Sequence, residues 1–116
     1  MNRDLRDQVR RELLNEAREI ASQLYHAPAQ IIFRAVTTPG WDSDAYRGGL
    51  RLDPVAVHDR AGWLAEPTTR HTHRTRSTDT RRLGRLAAAL CRAWNIPLPA
   101  AGATMTLTLD HQGDEA

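Results

Sequence analysis

Gln30-Ile31-Ile32-Phe33-Arg34-Ala35-Val36-Thr37-Thr38 decides how the rest of the chain reads. The stretch is dense in β-branched residues and stops at Pro39-Gly40, too short for a stable helix. It is therefore expected to be a strand with at least one face buried. Upstream, Leu5, Val9, Leu13, Ala17, Ile20 and Leu24 recur at three- and four-residue spacings. That period predicts an amphipathic helix opened by Asn2 or Asp4 and closed before Pro28. Downstream, residues 39–49 read as a loop in which Gly48-Gly49 is a turn, and Leu50-Arg51-Leu52 as a short returning strand. Asp53-Pro54 then has the form of a helix start, with Asp as cap and Pro at the first helical position. The short helix it opens is expected to end near Gly62 or Leu64.

A second long helix is predicted from a cap at Thr78 or Asp79 to about Trp94, with Leu83, Leu86, Ala87, Leu90 and Trp94 on its apolar side. Asn95 suits the left-handed residue that ends a helix, and Pro97 and Pro99 prevent continuation. Thr104-Met105-Thr106-Leu107-Thr108-Leu109 alternates strictly, as a half-buried strand does, with threonine facing outward. Two long helices and a few strands without regular βαβ alternation predict an α+β fold. The expectation is two long helices packed on a small, mostly antiparallel sheet, one domain over residues 1–110 and a frayed tail at 111–116. Trp63 and Trp94 are assigned to the core, and Cys91 to a structural place on the flank of the second helix.

The 116 residues include 41% apolar and 26% charged side chains, a balance that supports a folded domain. A single cysteine rules out an intrachain disulfide and fits a cytoplasmic protein. The charged stretch Met1-Asn2-Arg3-Asp4-Leu5-Arg6-Asp7 is unlike a secretory apolar segment, and no apolar run is long enough to span a membrane.

All sixteen basic residues are arginine, and they are unevenly placed. Residues 67–94 carry seven of them against one acid, whereas charges balance over residues 1–66. Within this segment, residues 68–82 intersperse arginine, histidine and hydroxyl side chains, all donors suited to anionic oxygens. Arg70, Arg74, Arg76, Arg81, Arg82, Arg85 and Arg92 are the candidate phosphate-binding residues. The function this predicts is a small nucleic-acid-associated protein that contacts phosphates through an Arg/Thr/His loop and a basic helix face. A solvated helix face with a polar loop would have the same composition, and no helix-turn-helix, zinc-finger or RNA-recognition signature accompanies it.

Two alternatives use other residues. A non-catalytic interaction subunit or regulator would present the basic patch to an acidic protein, or Trp41 and Tyr46 to an apolar partner. A small phosphodiesterase or ribonuclease would use His71 and His73 as general acid and base, with Arg70 or Arg74 steadying the developing charge. The same His-x-His pair, with His58 and Asp59, lacks a complete metal-ligand set and sits among cations, so neither a metal nor a cofactor is expected. Asp42 and Asp44 fail the calcium-loop pattern because Arg47 stands where its turn glycine belongs. Finally, Thr104, Thr106 and Thr108 on an edge strand would permit a homodimer by sheet extension.

Overall fold

A computed structural model describes residues 3–38, 49–69 and 73–109. The element order is α1 (Arg3–Leu24), β1 (Pro28–Thr37), β2 (Leu50–Asp59), α2 (His73–Ala93) and β3 (Thr104–Thr108). The three strands form one antiparallel sheet in the order β2-β1-β3. Both helices lie on one face of it and run antiparallel, since Leu24 meets Arg76 while Glu16 meets Arg82. The α+β expectation holds. Residues 39–48 of the expected 39–49 loop, including Trp41 and Tyr46, and the tail at 111–116 lie outside the described residues.

β1 is the middle strand and supplies the centre of the core. Its alternate residues Ala29, Ile31, Phe33 and Ala35 are buried under the helices, while Gln30 and Arg34 are exposed on the other face. On α1, burial starts near Leu13 and runs through Leu14, Ala17, Ile20, Ala21 and Leu24. Leu5 and Val9, expected on the same stripe, are 49% and 38% exposed. The helix therefore docks through its last three turns only. On α2 the buried stripe is Leu83, Leu86, Ala87, Ala88, Leu90 and Cys91.

The expected helix after Asp53-Pro54 is absent, because β2 continues as a strand to Asp59. Two features make this chain tolerate Pro54. β2 is an edge strand, where a missing N–H costs little, and the pairing shifts register beside Pro54 so that Val55 is the extra residue of a bulge. The Asp53 carboxylate is held by Arg51, at 2.9 and 3.2 Å, and caps nothing.

Beyond β2, the Asp59 carboxylate accepts the N–H groups of Ala61 (2.9 Å) and Trp63 (3.0 Å), closing a tight turn with Gly62 at φ 90°. Trp63 stands at its tip and is 74% exposed, which overturns its assignment to the core. Trp94 is also only partly covered.

α2 begins at His73, five residues before the expected cap. Serine and threonine discourage helix when their hydroxyls compete for backbone groups. Here Thr80 donates to the Arg76 carbonyl one turn back (2.7 Å), so that competition is resolved inside the helix.

The other end of α2 follows expectation. Asn95 takes the left-handed backbone (φ 59°), its N–H donating to Arg92 O (3.1 Å) and that of Ile96 to Cys91 O (2.7 Å). This is the paired closure of a Schellman motif. Asn95→Ala is expected to lower unfolding free energy by about 1 kcal/mol and Asn95→Gly to leave it level or higher. Urea unfolding followed by circular dichroism measures both.

Candidate functional site

α2 carries most of the candidate phosphate-binding arginines, and its rigidity divides them into different roles. Arg81, Arg85 and Arg92 are exposed on the side opposite the buried stripe, as the helical period requires. Arg81 and Arg85 also interact within the protein. Arg92 sits in the last turn of α2, where a cation complements the helix dipole. Arg82 is engaged by Glu16 of α1 in an exposed ion pair.

Arg76 faces inward. Its Nη1 donates to the Thr68 carbonyl (3.0 Å) and its Nη2 to the Leu24 carbonyl (2.8 Å), while its guanidinium lies 5.6 Å from the centre of the Tyr25 ring. Thr68 completes the junction, donating its N–H to Leu24 O (2.8 Å) and its hydroxyl to Gln23 O. The last carbonyls of α1, which a helix leaves unpaired, are thus capped by groups from two later segments. Thr68 is the one polar side chain buried among the described residues. Sequence alone grouped Arg76 with the phosphate binders because its composition matches theirs, and nothing local marks its partners.

Beside Arg76, a shallow cleft of about 470 Å³ is lined by Arg51, Asp53, Pro54, Ser77, Thr80 and Arg81. Three arginines line it, but the Asp53 carboxylate on Arg51 offsets part of their field. Arg51 and Asp53 come from β2, on the far side of the chain's midpoint, and no motif linked them to α2.

Arg70 and His71 lie outside the described residues, as do Trp41 and Tyr46. His73 and Arg74 belong to the first turn of α2. Asp59, the acid nearest His58 in sequence, spends its carboxylate on its own turn. Among the described residues, no group of three His, Cys, Asp or Glu side chains is placed to hold a metal ion.

Cys91 is buried, with its sulfur 3.5 Å from the Met105 sulfur. Burial pushes its thiol pKa up, and the neighbouring Arg92 charge pulls only partly against that shift. A thiol held protonated in this way is a core filler and a poor nucleophile. It also borders an apolar groove of about 600 Å³ between the C-terminal part of α2 and β3, with Leu90, Trp94, Ile96 and Met105.

Comparison with protein-family models, curated proteins and solved structures finds no match. Among the described residues, no helix is long and apolar enough to cross a membrane.

Proposed function

We propose that this is a small nucleic-acid-associated protein that contacts backbone phosphates through Arg81, Arg85 and Arg92. The observation that carries this reading is the exposure of all three along one side of a docked helix. Arg81 and Arg92 lie eleven positions apart, about 16 Å along the helix, which is enough to follow several consecutive phosphates. Arg76 is left out because it faces inward with its donors on Leu24 and Thr68, whereas Arg81 and Arg85 would exchange their interactions within the protein for phosphate, as Arg82 would its ion pair with Glu16. Contacts of this kind position a protein on nucleic acid without reading its bases, so sequence preference is expected to be small. A cytosolic location goes with this reading, and the lone buried Cys91 suits a reducing compartment.

The test is fluorescence anisotropy with labelled random single- and double-stranded DNA and RNA at several salt concentrations. Three phosphate contacts on duplex DNA give a log–log salt slope near −2.7, about −0.9 for each. Changing Arg81, Arg85 and Arg92 together to Glu is expected to abolish binding while the circular dichroism spectrum still reports the folded chain. Absence of binding at low salt sinks the proposal.

A second reading, the non-catalytic interaction subunit, is favoured by the same exposure of Arg81, Arg85 and Arg92. An acidic protein partner would use the same three arginines and leave the nucleic-acid titrations flat.

A further inference from the structure

The two edges of the sheet are built differently. β2 is blunted against further pairing by Pro54, by the bulge at Val55, by the Arg51–Asp53 ion pair and by a bridge from His58 to Leu64. Each is a device that keeps an edge from adding strands. β3 has none of them. It is a plain run of Thr104-Met105-Thr106-Leu107-Thr108, and residues 93–109, seventeen in all, include no charged side chain in a chain that is 26% charged.

The ladder between β1 and β3 shows which backbone groups remain on that edge. Leu109 N–H donates to Ala29 O (2.7 Å) and Ala35 N–H to Ala103 O (2.9 Å), so the odd-numbered residues of this segment bond to β1. In an antiparallel pair the alternate residues then direct their N–H and C=O groups away. Thr104, Thr106 and Thr108 therefore present three donors and three acceptors outward, with no partner among the described residues.

We propose that this edge pairs with β3 of a second copy, antiparallel about a two-fold axis at Thr106, to give a six-stranded sheet. The register is self-complementary. Thr106 meets Thr106 and Thr104 meets Thr108, which satisfies all six outward backbone groups on each copy and builds a threonine ladder on the open face. On the opposite face Met105 meets Leu107, apolar against apolar. The axis stands perpendicular to the sheet, so both helix pairs share one side.

That same side carries the apolar groove of Leu90, Cys91, Trp94, Ile96 and Met105 at the β3 edge. The antiparallel helices also bring the exposed Leu5 and Val9 toward the Trp94 end of α2. A second copy would thus face this apolar surface with its own. An unrelated charged partner finds no opposite charge here, whereas a two-fold interface requires a patch tolerant of itself. The isologous partner is the occupant that fits.

Sedimentation velocity over a range of concentrations tests the proposal. The wild-type chain is expected to show a reversible species of twice 13.0 kDa. Thr106→Pro removes an outward N–H and leaves the bonds of Met105 and Leu107 to β1 intact. Thr106→Arg sets like charges opposite each other on the axis. Each variant is expected to weaken association by roughly 100-fold or more, which leaves a monomer. Amide exchange supplies a readout without substitution. Thr104, Thr106 and Thr108 should be protected at high concentration and lose protection on dilution, while Met105 and Leu107 stay protected. A wild-type monomer throughout, dimeric variants, or fast exchange at the three threonines in concentrated protein overturns the proposal.

Discussion

Phe33→Ala is expected to remove about 3–5 kcal/mol of stability, the range for deleting a buried aromatic ring. Phe33 is fully buried on the middle strand, where it pairs laterally with Pro54 of β2 and Met105 of β3 beneath the two helices. Its neighbours Ala29, Ile31 and Ala35 are smaller, so nothing beside it on β1 can swing in to fill the space. The remaining cavity would be lined by groups fixed in strands and helices, the condition in which relaxation recovers least. A small domain holds about 5–15 kcal/mol in total, so the variant would lose a large part of its reserve. Urea unfolding should show a lower midpoint with the slope preserved, and Phe33→Leu should cost less than half as much. A Phe33→Ala loss within the range of surface substitutions, about 0.5 kcal/mol, would mean the ring does not anchor the core.

Arg76→Ala is the second large effect, expected at about 2–3 kcal/mol. A hydrogen bond from a charged donor contributes about 1.5–3 kcal/mol, and Arg76 makes one to each of two carbonyls. The sum is discounted because Arg76 is only half buried, so water reaches part of the site in its absence. What remains after truncation is the end of α1 with Leu24 O served by Thr68 alone, and Tyr25 without the guanidinium over its ring. Arg76→Lys should recover little, because one ammonium cannot reproduce a planar fork to two acceptors. Thermal unfolding of both variants, with amide exchange at Thr68 as a local probe, distinguishes this from a solvated arginine. For contrast, truncating an exposed arginine such as Arg11 of α1 to Ala should stay within about 0.5 kcal/mol. An Arg76→Ala loss that small would return Arg76 to the anion-facing set.

Much of the fold was readable before any coordinates, and the exceptions share a cause. β1, β3 and the two helices carry their own periodicity, and Asn95 is a residue type whose chemistry suits the left-handed end it occupies. Asp53-Pro54 failed because the same dipeptide suits both a helix start and an edge strand. The choice depended on β1 offering Ile32 and Phe33 as partners across a bulge. Residues 73–77 failed because helix propensity is a weak prior, and Arg76 gains two tertiary partners only when that turn is helical. Trp63 was misplaced in consequence, since a helix would have turned inward a side chain that the Asp59 turn holds out.

The site divides along the same line. Charge segregation pointed to residues 67–94, and the helical period correctly put Arg81, Arg85 and Arg92 on the exposed side. It could not separate them from Arg76, whose partners Leu24 and Thr68 are 52 and 8 residues away. Nor could it join Arg51 and Asp53 to the same cleft.

By itself, then, the sequence determined that α1, β1, α2 and β3 exist and of which type, the buried stripe of α2 and the excess of positive charge on one segment, because each is a property of neighbours along the chain. Only the tertiary structure decided which arginine is a clamp, which edge of the sheet is blunted and which backbone groups of β3 face outward. Those depend on the strand order and on the register with β1, where the groups that meet are brought together by folding rather than by proximity in sequence.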